Sequence, residues 1–148
     1  MFSQLNKPLI MGILNVTPDS FSDGGKYTGI NDALKQVERM LAEGVDIIDI
    51  GGESTRPGSD SVPTTKQIQR VIPVLTAIRQ QLNSTILISI DTTSSKVAKA
   101  ALEAGANIIN DVSAGQEDEA ILALAAKTDV PIILMHSQGT PKTMQDNP

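Results

Sequence analysis

Short apolar runs alternate along the whole chain with longer stretches of helical spacing, and this alternation narrows the possible folds more than any other feature. The runs fall at residues 9–14, 45–50, 86–90, 107–109 and 131–135 and are rich in Ile, Leu and Val. Each is short and bounded by polar or turn residues, as expected of strands buried on both faces. The first helical stretch, 31–43, sets Leu34, Val37, Met40 and Leu41 on one stripe, with Asn31 or Asp32 as N-cap and Gly44 as the stop. The second, 64–82, carries Ile68, Val71, Ile72, Leu75 and Ile78, with Pro73 predicted to bend it. The third and fourth are 95–104, closed by Gly105, and 117–127, whose acidic start suits a helix N-terminus. The order β-α-β-α-β-α-β-α-β implies a parallel sheet with right-handed crossovers.

Two architectures satisfy that order: an open doubly wound sheet and a (β/α)8 TIM barrel. Every apolar run contains or meets a polar side chain near its end: Asn15, Asp49, Asp91, the pair Asn110 and Asp111, and His136. Side chains alternate faces along a strand, so Asp49 opposes Ile48 and Ile50, and Asp91 opposes Ile90. A charged group opposite a helix-facing apolar residue points into a barrel interior near the C-terminal mouth, where barrel enzymes keep their reactive groups. A doubly wound sheet more often carries a Gly-rich phosphate loop after its first strand, and 15–27 contains no G-x-G-x-x-G. The barrel is therefore the expected fold class. A whole barrel takes about 250 residues, or about 31 per βα unit. The 148 residues match five strands and four helices, so the chain is expected to be the N-terminal part of one barrel domain, with the later strands supplied elsewhere.

The loops after the first two runs are long enough to be functional lids. Residues 15–25 read Asn-Val-Thr-Pro-Asp-Ser-Phe-Ser-Asp-Gly-Gly and residues 51–58 read Gly-Gly-Glu-Ser-Thr-Arg-Pro-Gly. Asn15 offers a hard oxygen to Mg2+, which takes few protein ligands. Thr55 and Arg56 offer a hydroxyl and a guanidinium fork to a pyrophosphate or carboxylate. The net charge of −5 excludes a global basic field for nucleic acid or anionic membranes, so any anion must be held locally. Aromatic residues number three, Phe2, Phe21 and Tyr27, too few for a base-stacking surface. The chain has no Cys, which removes thiol nucleophiles and disulfides. No run approaches the roughly 20 residues of a membrane span, and a cytoplasmic protein is expected.

The strings at 11–25 (Met-Gly-Ile-Leu-Asn-Val-Thr-Pro-Asp-Ser-Phe-Ser-Asp-Gly-Gly) and 48–58 (Ile-Asp-Ile-Gly-Gly-Glu-Ser-Thr-Arg-Pro-Gly) resemble the two signatures of the dihydropteroate synthases. The segments 90–92, 109–112 and 135–141 follow that family in order and spacing, so the resemblance spans nearly the whole chain but only about the first half of the family's barrel. It implies a transferase of folate biosynthesis that joins 6-hydroxymethyl-7,8-dihydropterin pyrophosphate to p-aminobenzoate and releases pyrophosphate. By the same resemblance Asn15 would help hold Mg2+, and Thr55 and Arg56 would contact the phosphates. Phe21 and Asp23 would belong to a loop closing over the aminobenzoate, with Arg56 near it. Asp91 and Asn110 would hydrogen-bond the pterin, with Met135 lining its pocket. Sulfonamides would compete with aminobenzoate, and a homodimer without nucleic-acid or membrane partners is implied.

Taken singly, these residues also have ordinary readings. Asp49 and Asp91 fit helix caps or strand-end turns, and Asn110 with Asp111 fits an Asx-turn. His136 and Glu53 fit structural hydrogen-bonding roles, and the acidic cluster 117–119 fits a solvated helix start. Two other functions remain open at this stage. One is a related pterin-binding methyl-transfer module. The other is a catalytically incomplete half-barrel that binds pterin or self-associates.

Overall fold

The structure, a computed structural model, describes residues 8–16, 25–52, 62–82 and 85–134, the side chains of 25–28 and 134 excepted. The elements run β1 (Met11–Asn15), α1 (Gly25–Ala42), β2 (Ile47–Gly51), α2 (Thr64–Gln81), β3 (Leu87–Asp91), α3 (Ser95–Glu103), β4 (Ile108–Asp111), α4 (Ala120–Thr128) and β5 (Ile132–Leu134). The five strands form one parallel sheet in the order β1-β2-β3-β4-β5. Each strand lies beside its predecessor, so successive right-handed crossovers wind in one direction and put the helices on a single face. A doubly wound sheet would reverse its strand order and cover both faces. The fold is thus α/β of the (β/α)8 barrel type, and the described residues supply five strands and four helices of it.

Period-two alternation divides the strand residues cleanly. Ile48, Ile50, Ile88, Ile90 and Ile109 are fully buried beneath the helices, against Val37, Val71, Val74, Leu75, Ile78, Val97, Ala98, Ala101 and Ile121. Truncating one such isoleucine to Ala costs about 2–5 kcal/mol, through lost transfer energy and the cavity left behind. The alternate residues, Ile13, Asp49, Ser89 and Ile108, then Asn15, Gly51, Asp91, Asn110 and Ile133, form rows across the inner face, the one turned away from the helices. At the two edges of the sheet Ile13 and Ile133 are 60% and 38% exposed on this face. No described helix is long and apolar enough to cross a membrane.

Most helix ends follow the sequence expectation. Gly44 (φ 99°) and Gly105 (φ 118°) take the left-handed backbone that terminates α1 and α3. Helix α2 runs through Pro73 without interruption. Helix α1, however, begins at Gly25, so neither Asn31 nor Asp32 is its N-cap. The apolar stripe simply continues upstream: Ile30 lies one turn before Leu34 and packs on the same core. Helix α4 begins at Ala120, and the acidic residues precede it rather than forming its first turn. Residues 112–117 are occupied by a turn that Asp111 organises, with Ala114 at φ 55° and Gly115 at φ 81°. Within the acidic cluster Glu117 and Glu119 are exposed, as expected of a solvated helix start, and Asp118, only partly covered, also accepts backbone hydrogen bonds. Its Oδ2 accepts from the Ser95 backbone N–H at 2.7 Å and its Oδ1 from that of Ala120 at 3.1 Å, so one carboxylate caps two helices.

Candidate active site at the C-terminal ends of the strands

The strand-end polar residues meet on the inner face because parallel register aligns them. Asn15 pairs with Gly51, Gly51 with Asp91, and Asp91 with Asn110, so the four form one row across β1 to β4. Adjacent strands are about 4.8 Å apart, which brings the side chains of such a row within reach of a single small ligand. Gly51 makes the row possible. A Cβ there would lie 3.3 Å from both Cβ and Oδ2 of Asp91, so the missing side chain leaves the space into which the carboxylate leans. Asn15 stands exposed at one end of the row, while Asp91 and Asn110 are half-buried.

One layer deeper, Asp49 is 3% exposed and Ser89 fully buried. The Ser89 hydroxyl donates to Asp49 Oδ1 at 2.5 Å, and Asn110 Nδ2 reaches both Asp49 oxygens at 3.3 Å. Burial raises the Asp49 carboxyl above its ordinary value of 3.8, and the bonds from Ser89 and Asn110 oppose the rise. Asp49 is therefore an interior group and neither a helix cap nor a turn former. Asn110 and Asp111, adjacent in sequence, separate by function. Asp111 is fully buried and does make the Asx-type turn: Oδ1 accepts from the N–H and hydroxyl of Ser113, and Oδ2 from the N–H of Gly115. Asn110 points to the inner face instead.

Both stems of the loop between β2 and α2 are tied to α2. Arg70 Nη1 donates to the Gly52 carbonyl at 2.8 Å, and Gln67 Nε2 to the Val62 carbonyl at 2.8 Å. A Cβ on Gly52 would approach the Gln67 carbonyl oxygen and Val71 Cγ2 to 3.1 Å, so Gly52 lets the chain leave the strand hard against the helix. Thr55 and Arg56 lie between these stems in sequence. They and Phe21, Asp23 and Met135, together with Glu53 and His136, lie outside the described residues.

The structure thus brings together Asn15, Asp91 and Asn110 and adds Asp49 and Ser89, which sequence reasoning left without a role. Ser89 carried a readable signal: it is the polar interruption of an Ile-rich strand, on the same alternation face as Asp91. Among the described residues no group of three His, Cys, Asp or Glu could hold a metal ion. The donor chemistry nevertheless suits Mg2+ that arrives with phosphate ligands, because such an ion needs only one or two protein oxygens and keeps water in its other positions. The exposed Asn15 amide at the mouth of the row can be one of them.

Comparison with known proteins agrees with this geometry. The profile of the pterin-binding enzyme family matches residues 11–148. A dihydropteroate synthase of Streptococcus pyogenes serotype M1 is 62% identical over 129 residues, covering 87% of this chain and 48% of the relative. Among solved structures, a Clostridium difficile dihydropteroate synthase with pteroic acid superposes with a TM-score of 0.84 at 40% identity, covering 95% of this chain and 56% of that one. Xanthomonas albilineans dihydropteroate synthase with 4-aminobenzoic acid gives a TM-score of 0.80 at 46% identity, covering 90% and 48%. The chain spans about half the length of the relatives it matches. With the family profile matched over nearly all of its length, this chain belongs to the pterin-binding enzymes.

Proposed function

We propose that the intact protein is a dihydropteroate synthase, a transferase that condenses 6-hydroxymethyl-7,8-dihydropterin pyrophosphate with p-aminobenzoate. The observation that carries this reading is the row Asn15, Gly51, Asp91 and Asn110, in which the side-chain oxygens of Asn15, Asp91 and Asn110 align at the C-terminal strand ends of a barrel with Gly51 leaving room between them. A pterin presents ring N–H and amino donors in one plane, which a carboxylate and an amide oxygen on neighbouring strands can accept. The similarity to dihydropteroate synthases, one of them solved with 4-aminobenzoic acid, supports the choice of second substrate. The unit described here is, in this reading, the first part of a single barrel domain.

The chemistry asks little of the protein beyond placement and charge. The bond between the pterin methylene carbon and its ester oxygen breaks, with the electron pair leaving on pyrophosphate. The aminobenzoate nitrogen then forms a bond to that carbon and loses a proton to solvent. Asp91 and Asn110 hold the ring, and conjugation with the ring stabilises the electron-poor carbon. Thr55 and Arg56 hold the pyrophosphate, with Arg56 also near the aminobenzoate. Phe21 and Asp23 close over the aminobenzoate, and Met135 lines the ring pocket. Asn15 would help hold Mg2+. When bound, that ion supplies positive charge against the departing pyrophosphate. An aromatic amine is nucleophilic without a strong base, so no nucleophile–base pair is required. The same site would bind sulfonamides in competition with aminobenzoate.

Incubating the intact protein with both substrates and Mg2+ tests this. Dihydropteroate and pyrophosphate should form in equal amounts, and a sulfonamide should raise the apparent KM for aminobenzoate without changing kcat. Absence of any coupled product would overturn the assignment.

A further inference from the structure

Among the described residues, Asn110 belongs to the row at the strand ends and also bonds to the buried carboxylate beneath it. Its Nδ2 lies 3.3 Å from each Asp49 oxygen, while Ser89 holds Asp49 from β3 at 2.5 Å. Among the described residues nothing donates to Asn110 Oδ1. A side-chain amide offers two donors at one end and an acceptor at the other, and the two orientations have nearly the same shape. What chooses between them is the partner. An ionised carboxylate is an acceptor only, so it stabilises the orientation that turns the NH2 inward and leaves an unpaired lone-pair clash in the other.

We infer that Asp49 is a positioning residue whose buried carboxylate sets the orientation of the Asn110 amide, so that the row presents its carbonyl oxygen to the ligand. With the Asp91 carboxylate beside it in register, that part of the row then presents acceptors. It selects ring systems whose edge carries N–H donors and rejects those with an oxygen in the same place. This deepens the reading of the site as a pterin pocket and rests on it. Asp49 touches no ligand in this role. Its layer lies below the row, and its exposed fraction is 3%.

The test is a selectivity ratio. Binding of 6-hydroxymethylpterin and of 6-hydroxymethyllumazine, which carries an oxygen in place of the 2-amino group, is measured by calorimetry on the intact protein and two variants. Wild type should prefer the pterin by roughly a hundredfold, as expected when a buried polar group faces the wrong partner. In Asp49→Asn the new amide can donate as well as accept, so Asn110 is free to turn. The preference should fall about tenfold even where pterin affinity changes little. Ser89→Ala keeps the carboxylate and should leave the ratio within about twofold. A purely structural Asp49 would weaken both ligands in parallel and leave the ratio at the wild-type value, which overturns the inference.

Should Asp49→Asn not fold, the wild-type complex decides the matter by nuclear Overhauser effects. Contact between the Asn110 NH2 protons and bound pterin refutes the proposed orientation, and its absence alongside other ring contacts supports it. Wild-type protein that binds neither compound refutes the pterin reading itself, and the role of Asp49 falls with it. Pterin binding with an unchanged ratio refutes only the role of Asp49.

Discussion

At the N-terminal ends of β3 and β4, Arg79 of α2 donates to the Ile86 carbonyl at 2.7 Å, twice to the Gly105 carbonyl at 3.0 and 2.7 Å, and to Asn107 Oδ1 at 2.7 Å. That same Asn107 oxygen accepts from the Ile88 backbone N–H at 2.9 Å. Toward the C-terminal ends of the strands, by contrast, Ser89 in the middle of β3 and Asn110 of β4 both bond to Asp49 in the middle of β2 through side chains alone. The Arg79 cluster closes on the backbone of the connections: α2, the start of β3 and the turn before β4 are held by one guanidinium. The Asp49 cluster leaves the backbone to the sheet and arranges side chains that end at the inner face. A barrel divides its two ends in this way, with stability kept at the bottom and chemistry at the top.

Substitution at each end should separate the two properties. Arg79→Met leaves the Ile86 and Gly105 carbonyls without their charged donor. It should lower stability by about 3 kcal/mol in urea unfolding, while the protein that remains folded keeps its affinity for pterin. A midpoint unchanged from wild type would remove the distinction between the ends. Asp91→Asn should do the reverse. The turnover ratio kcat/KM should fall about a hundredfold, as when one buried polar contact is mismatched, with the unfolding midpoint almost unmoved.

Two glycines sharpen the picture of the bottom end. At Gly105 a Cβ would meet Arg79 Cγ at 2.9 Å on a backbone at φ +118°, whereas at Gly44, φ +99°, nothing lies within 4 Å. Both alanine variants carry the backbone strain of roughly 1 kcal/mol. Gly105→Ala should cost about 1–2 kcal/mol more than Gly44→Ala because it also displaces the guanidinium. Equal losses in thermal melts would mean that Arg79 yields freely.

The smallest effects are in pH. Burial raises Asp49, whereas hydrogen bonds from Ser95, and then Ala120 and the nearby Lys96, lower Asp118. A carboxyl raised in the folded state favours folding fully below the ordinary value of 3.8, and that contribution is lost as pH rises through the raised value. A lowered carboxyl contributes above 3.8, and its contribution is lost as pH falls through the lowered value. Urea midpoints followed against pH should therefore respond on opposite sides of 3.8. Asp49→Asn removes a decline above it, and Asp118→Asn removes a decline below it. Slopes unchanged in both variants would show that neither carboxyl couples to folding.

Much of this molecule is readable as sequence because two simple periods govern it. Alternation by two placed Ile48, Ile50, Ile88 and Ile90 beneath the helices and Asp49 and Asp91 opposite them, and helical spacing placed α2 and α3 within a residue of their ends. Polar residues near every strand end favoured a barrel before any strand order was known. The start of α1 is not legible in the sequence because Gly25 and Gly29 are poor helix formers, and only packing of the stripe against the sheet outweighs that propensity.

What the chain alone could not decide is which polar groups meet. Asp49, Ser89 and Asn110 are separated by 40 and 21 residues and touch only because parallel register puts three strands side by side. Asn110 and Asp111 are neighbours with nearly the same local preferences, yet one turns to the inner face and the other is buried in a turn. Local sequence determines how each strand alternates and where a helix stops. Register, a property of strand pairs distant in sequence, determines that a serine beneath the row bonds to an aspartate, and that this aspartate accepts from the asparagine of the site.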